Sequence, residues 1–318
     1  MKLDTKDMGI LHELSKNCRS PVAKIGKKLS LPREVVDYRI KRLVKAGVIK
    51  DFIAEIDLDR LGFTKSVVYL ELKGLTKERE NEIINKLVAH PFTSWVVSST
   101  GKWSVIFDVH SKSTGQLAEI VEQIKDLTGK NLGECRVVTL RDYKYFHSKF
   151  FGEELPERDE GAKIELDKKD KTILRALSKN GRKDFVTIAK EMGLTPEAVS
   201  MRTKRLIKNG AIKRFHIFVD LRKLAYEQYN IQVNFENIDK KTEQAILKFL
   251  SSHPNVSFYY RPVGHWDVEF GVFVRNPGEL REFVRLLRSN FPENIRIYDT
   301  SLFYEELKGN YAPEALFV

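Results

Sequence analysis

The chain has 318 residues, 42% of them apolar and 31% charged, which is length and apolar content for two to four packed domains. It carries 55 Lys and Arg against 44 Asp and Glu, a formal charge of +11, and it has no apolar run of about 18 residues, so no membrane span is expected. Two cysteines, Cys18 and Cys135, make no metal-ligand spacing and read as free thiols, and the N-terminus lacks an apolar signal-peptide core; a cytoplasmic location follows as an expectation.

The positive charge is local. Residues 1–60 carry about +5 and residues 164–223 about +9, leaving the remainder slightly acidic. Two basic segments on an otherwise near-neutral chain suggest two anion-binding faces, with double-stranded DNA as the leading partner.

In chain order, Asp4-x-x-Asp7 is a helix cap, and Ile10, Leu11 and Leu14 mark the inward face of the first helix. A short second helix over 22–29 and a turn at Ser30-Leu31 lead to a basic helix over 32–46. Gly47 stops that helix, and an alternating strand follows over 52–56. Three helices with a tight second-to-third turn and a trailing strand describe a winged helix-turn-helix. The next segment reads as strand 66–72, helix 77–89, strand 94–99, strand 103–109, helix 114–128 and strand 136–145, the β-α-β-β-α-β order of a ferredoxin-like domain.

The same text then repeats at an offset of 163 residues. Leu3-Asp4-x-Lys6-Asp7-x-x-Ile10-Leu11 recurs as Leu166-Asp167-x-Lys169-Asp170-x-x-Ile173-Leu174, and Arg39-x-Lys41-Arg42-Leu43-x-Lys45-x-Gly47 recurs as Arg202-x-Lys204-Arg205-Leu206-x-Lys208-x-Gly210. The expected class is therefore α+β, two winged helix-turn-helix domains (1–60, 164–223) alternating with two ferredoxin-like domains (61–148, 224–318) across a linker at 149–163. Each four-stranded sheet has helices on one face only, and the sister sheet is the natural cover for the other.

In the second basic helix, Val199, Thr203, Leu206 and Ile207 fall inward, while Met201, Lys204, Arg205 and Lys208 fall outward with Ser200 at the edge. The first helix presents Asp37, Tyr38, Lys41, Arg42 and Lys45 at these positions. Lys and Arg can meet phosphate or guanine, and Ser and Met offer small polar and apolar contacts. Asp37 would repel phosphate, so two non-identical half-sites are expected. Arg182, with Arg19 and Lys183, precedes a second helix and suits phosphate contact. Arg39 and Arg202 lie on the flank, where bracing a helix-one acid and touching DNA are both open. The second helix begins with the cap Thr195-Pro196, whereas the first begins Leu31-Pro32 without one.

A helix-turn-helix followed by a ferredoxin-like domain, with the opening Leu-Asp-x-x-Asp-x-x-Ile-Leu and the run Val199-x-x-Arg202-x-x-x-Leu206-x-x-x-Gly210-x-Ile212-Lys213, resembles the Lrp/AsnC (feast/famine) transcription regulators. Members of that family carry one such unit, termed a RAM-type unit in its second domain, and dimerise through it. The resemblance thus implies a DNA-binding regulator built as a fused pseudo-dimer. It also implies an amino acid or other small effector, for which Gly264, His265 and Asp267 around one hairpin turn are the candidates; copy one has Ser104 where copy two has Asp267. Dimers in the family often assemble further, and the sequence leaves open whether this chain does.

Trp103 and Trp266 read as packing under the hairpins, with ligand stacking as the sharper alternative. Sirohaem decarboxylases are similar to this family in fold, so an enzyme is the competing function. The run Tyr259-Tyr260-Arg261-Pro262-Val263-Gly264-His265-Trp266 has Tyr, Arg and His, but not that family's His-rich spacing. No nucleophile triad, phosphate-binding glycine loop or metal cluster is present, so neither catalysis, metal nor cofactor is expected.

Overall fold

The computed structural model describes residues 3–146, 161–309 and 312–318, so most of the expected linker at 149–163 lies outside the described residues. The chain folds as two compact units, and each collects material from both copies.

The first unit holds both helix-turn-helix segments. Copy one supplies α1 (Thr5–Lys16), α2 (Val22–Leu29), α3 (Arg33–Lys45) and β1 (Ile49–Ile56). Its mates are α6 (Lys168–Lys179), α7 (Phe185–Met192), α8 (Pro196–Lys208) and β6 (Ile212–Val219). Asp4 caps α1 by accepting from the Asp7 amide at 2.8 Å while the Asp7 carboxylate accepts from the Asp4 amide at 3.2 Å, a closed capping box. Asp167 repeats the cap on α6 at 2.7 Å. Thr195 caps α8, whereas Pro32 gives α3 no side-chain cap, as the sequences read.

The strands behave differently from a wing. β1 and β6 pair with each other, antiparallel, with Ile53 opposite His216 and Ala54 opposite Phe215. A single strand after each helix-turn-helix has no hairpin partner of its own, so each copy satisfies its backbone with the other's strand. Packing is crossed as well: β1 lies on α6 and β6 lies on α1. The Cys18 amide donates to the Phe215 carbonyl at 3.0 Å, and the Gly181 amide donates to the Phe52 carbonyl at 2.7 Å. A Cβ at Gly181 would come within 2.8–3.1 Å of the Ile53 backbone, so this approach needs glycine. One continuous core, including Ile10, Leu14, Leu43, Ile173, Leu177 and Leu206, joins the two copies. Residues 312–318, expected with the second ferredoxin-like domain, belong here instead. Ala312 and Leu316 are buried in this core, and Glu314 pairs with Arg175 at 2.6 Å and Lys179 at 3.1 Å.

The second unit contains β2 (Thr64–Leu72), α4 (Lys77–Ala89), β3 (Thr93–Ser99), β4 (Val105–Ser111), α5 (Thr114–Thr128) and β5 (Leu132–Tyr145). Their counterparts are β7 (Glu227–Phe235), α9 (Lys240–Ser252), β8 (Val256–Val263), β9 (Val268–Val274), α10 (Pro277–Asn290) and β10 (Ile295–Gly309). Both halves keep the β-α-β-β-α-β order, and His90 and His253 stand at the ends of α4 and α9. The sheets do more than cover each other. β5 pairs with β8 and β10 with β3, closing an eight-stranded barrel in the order β10-β3-β4-β2-β5-β8-β9-β7. Closure removes all four sheet edges that two separate sheets would expose.

Tyr69, Trp103, Phe258, Tyr260, Trp266 and Phe303 form one buried cluster of this barrel. Buried charge accompanies them. Lys65 pairs with Asp108 at 2.6 Å, donates to the Tyr145 and Tyr260 hydroxyls, and sits 4.7–5.1 Å from the ring centres of Tyr143, Tyr145 and Tyr260. Glu269 accepts from the Tyr69 hydroxyl, from Trp266 Nε1 at 3.1 Å and from Asn230 at 2.7 Å. The two tryptophans are therefore packing residues, Trp266 with its indole N–H satisfied.

The β1–β6 ribbon should be acid-sensitive. Burial, and then the charge of Arg214, pulls the His216 imidazole down to about 4. The unfolded chain, titrating near ~6.5, binds more protons than the folded one between those values, so stability falls as pH drops through that window. The loss should approach about 3 kcal/mol by pH ~4, read from chemical denaturation at stepped pH, and His216→Gln should flatten that part of the profile.

Candidate nucleic-acid interface

The third helix of each helix-turn-helix is fixed from behind by ion pairs to the first. Arg39 contacts Asp4 and Asp7, each at 2.8 Å, and Arg42 contacts Asp7 at 2.6 Å. In copy two Arg202 contacts Asp167 at 2.6 Å and Asp170 at 2.8 Å, and Arg205 contacts Asp170 at 2.6 Å. The Asp7 and Asp170 side chains are buried, so each cluster is a brace within the fold. Donation from the Asp7 amide, with the Arg39 guanidinium, holds the Asp4 carboxyl down to about 2; the Asp170 amide and Arg202 likewise lower Asp167.

This settles the open choice for Arg39 and Arg202 in favour of bracing. It also ties Arg42 and Arg205, read as outward, to the brace, while 39% and 55% of their side chains stay exposed. The signal was present in sequence as acids at the first and fourth positions of the cap and arginines 32 and 35 residues after the second acid.

Outward from the brace, Tyr38 and Met201 are 66% and 67% exposed, unusual for large apolar side chains. Lys41, Lys45, Lys204 and Lys208 are exposed beside them, and Ser200 is half-buried. Among the described residues Lys45, Lys204 and Lys208 form no ion pair, whereas Lys41 pairs with Asp37 one turn back at 2.6 Å. The two faces thus differ in charge as well as in residue type. Ile207, read as inward, is exposed, as is its mate Val44; both sit on the flank beyond the apolar stripe.

A groove of about 530 Å³ runs beside α8, lined by Phe185, Pro196, Glu197, Ser200, Met201 and Lys204. The groove beside α3, about 390 Å³, is lined by Asp37, Ile40, Lys41, Val44, Lys45, Phe52 and, from the other copy, Arg182. The three basic residues before the second helices diverge. Lys183 is taken by Glu191 at 2.7 Å, and Arg19 turns inward to the Gly181 and Lys183 carbonyls at 2.6 and 3.0 Å. Arg182 lies over the Phe52 ring, 5.3 Å from its centre.

At the hairpin turn of the second unit, Gly264 has φ +123° and, with His265 and Asp267, is exposed. Asp267 is occupied: its amide donates to Val233 at 3.0 Å and its carboxylate accepts from the Phe235 amide at 2.7 Å. Ser104 does the same in copy one, donating to Leu70 at 2.8 Å and accepting from the Leu72 amide at 3.1 Å. The substitution of Ser for Asp between copies therefore conserves a strand-end cap. His265 stacks edge-on against Trp266, 4.6 Å between centres, and partial burial with the nearby charges of Arg136 and Lys102 lowers its pKa.

Two paired helix-turn-helix modules carrying exposed basic third helices, joined in one chain to a barrel of paired ferredoxin-like sheets, define a tandem helix-turn-helix protein. The family model of the AsnC-type helix-turn-helix domain matches residues 3–44 and again 166–207. The uncharacterised HTH-type transcriptional regulator PF0250 of Pyrococcus furiosus is 34% identical over 132 residues, 40% of this chain and 86% of its own length. Transcriptional regulator AzlB of Bacillus subtilis is 30% identical over 122 residues, 38% of this chain and 78% of its own. The chain belongs to the Lrp/AsnC family of helix-turn-helix transcription regulators, as a tandem duplication. The crystal structure of the siroheme decarboxylase NirDL is similar over 98% of this chain and 96% of its own, with TM-score 0.65 at 13% identity, a likeness of fold.

Removing either buried acid should loosen the third helix of that copy. Asp7→Ala and Asp170→Ala each leave two partly exposed arginines without their buried partner and remove its charged hydrogen bonds, a loss of about 1.5–3 kcal/mol in denaturant-induced unfolding. A loss below about 1 kcal/mol would mean the brace is incidental.

Proposed function

We propose that this protein is a DNA-binding transcription regulator whose α3 and α8 are two non-identical reading heads on one double-stranded site. The observation that carries this reading is the pair of exposed faces on the third helices, each with an exposed Tyr or Met among lysines and backed by a buried Asp–Arg brace. Lys45, Lys204 and Lys208 suit phosphate, Tyr38 and Met201 suit apolar contact with thymine methyl groups, and Ser200 suits a base edge. Lys41 is half-neutralised by Asp37, which makes the first head the weaker. Heads on one duplex face would read half-sites about 10 bp apart or a multiple of that.

The decarboxylase alternative draws on Tyr260, Arg261 and His265. Tyr260 is buried in the barrel against Lys65, and Arg261 is held by Asp142 at 2.9 Å and by Glu243, so neither is free to meet an anionic substrate. We favour the regulator, and sirohaem added to the purified protein should keep its absorption spectrum unchanged. An amino-acid effector stays a proposal resting on His265 with Arg136 and Lys102 nearby, Asp267 being committed to the backbone.

Selection of bound sequences from a random DNA library should return a bipartite site with unequal halves. Lys204→Ala with Lys208→Ala should weaken binding across sequences and reduce the magnitude of the log–log salt slope by about 2. Enrichment of no sequence at all, with weak binding at moderate salt, would defeat the proposal.

A further inference from the structure

We propose that Arg182, although it belongs to the second copy, serves the first reading head by holding a DNA phosphate at the rim of the half-site read by α3. This rests on the DNA-binding reading above. Three observations carry it.

The first is position. Arg182 lines the groove of α3 together with Lys41 and Lys45, and the groove of α8 does not include it. The crossed packing explains this: the Gly181 amide is bonded to the Phe52 carbonyl, so the loop before α7 is delivered to the strand that follows α3.

The second is availability. Among the described residues the Arg182 guanidinium makes no hydrogen bond or ion pair; it is steadied only by the face of Phe52. Stacking on an aromatic ring orients the planar fork while leaving its N–H groups unspent, as bidentate phosphate contact requires.

The third is the contrast with its repeat mate. Arg19 spends its Nη1 on two carbonyls and covers Phe185 at 4.3 Å and Phe215 at 5.4 Å. The two arginines stand close enough that the charge of Arg182, after burial, lowers the pKa of Arg19. Two like charges approach one pseudo-two-fold axis, and only one has turned inward. The arginine whose guanidinium stays unbonded among the described residues, half-buried like its mate, stands at the head whose Lys41 is tied to Asp37, where an unpaired cation adds most. A residue on the rim, off the reading helix, suits phosphate rather than a base edge.

The test uses the full chain and the site it selects. Tyr38→Ala and Met201→Ala first assign the two halves, since each should relax base preference in one half only. Ethylation interference is then compared between wild type, Arg182→Ala and Arg182→Lys, with thermal unfolding confirming that each variant is folded. Arg182→Ala should bind about tenfold more weakly, reduce the magnitude of the salt slope by about 1, and lose one interfering phosphate in the half assigned by Tyr38; Arg182→Lys should retain most of both. Loss of a phosphate in the half assigned by Met201, or of none, overturns the crosswise assignment. A wild-type chain that selects no sequence instead overturns the DNA-binding reading itself, before any Arg182 variant is compared.

Discussion

Most of the first unit depends on the β1–β6 ribbon. Each helix-turn-helix has three short helices and a following strand with no local partner. Pairing those two strands satisfies both backbones, and crossing them onto the opposite first helices merges two small cores into one. The reading helices are thereby fixed within a single packed unit. The spacing of α3 and α8 thereby becomes a property of the fold rather than of any partner that meets them.

The brace works one level down. A buried carboxylate at the N-terminal turn of α1 or α6 gains from that helix's positive end and from two arginines on the third helix. The charges that rigidify each third helix are thus largely spent on ion pairs, even where, as at Arg205, the side chain stays exposed. Counting basic residues on a helical wheel overstates the free ones, since Arg42 and Arg205 sit on the outward arc yet end in ion pairs, and Lys41 is paired within its own helix. Among the described residues, what remains outward includes the unpaired Lys45, Lys204 and Lys208, the widely exposed Tyr38 and Met201, and Ser200, a set in which shape and charge are carried by different residues.

Element order, caps and repeat offset were legible because they are local. α2, α4, α5 and α7 fall where periodicity and capping put them, and the Asp4, Asp167 and Thr195 caps act as their residue types imply. Strand pairing across copies was not legible, because nothing in the alternation of β1 distinguishes a hairpin partner from a sister strand 163 residues away. The same holds for Arg19 and Arg182, which follow the same Leu-Ser-Lys-Asn run but stand between different neighbours, Cys18 and Ser20 against Gly181 and Lys183, whose effect on the side chains shows only in the fold. Lys65 was missed although its register with Val67 and Tyr69 pointed it toward the barrel interior; a lysine at a strand's start is usually solvated. The backbone role of Asp267 was not legible from its own turn; Ser104 performs the same task with a shorter side chain.

The barrel shows what duplication in one chain permits. In a dimer of identical subunits every interior residue appears twice, so a buried lysine would face its own copy across the axis. Here the mates of Lys65 and Asp108 are Gln228 and Gly271, and the mate of Glu269 is Ile106. One ion pair and one hydrogen-bonded carboxyl occupy an interior that strict symmetry would have filled with two of each. Burial pushes Glu269 and Asp108 above the usual carboxylate range, and doubling that cost would weigh against closure. Gly271 contributes directly, since a Cβ there would meet the Phe258 ring at 2.3 Å and the Ser257 hydroxyl at 2.5 Å. Once the two copies share a chain, each can give up the groups its sister now supplies, and the same freedom lets the outward faces of α3 and α8 diverge.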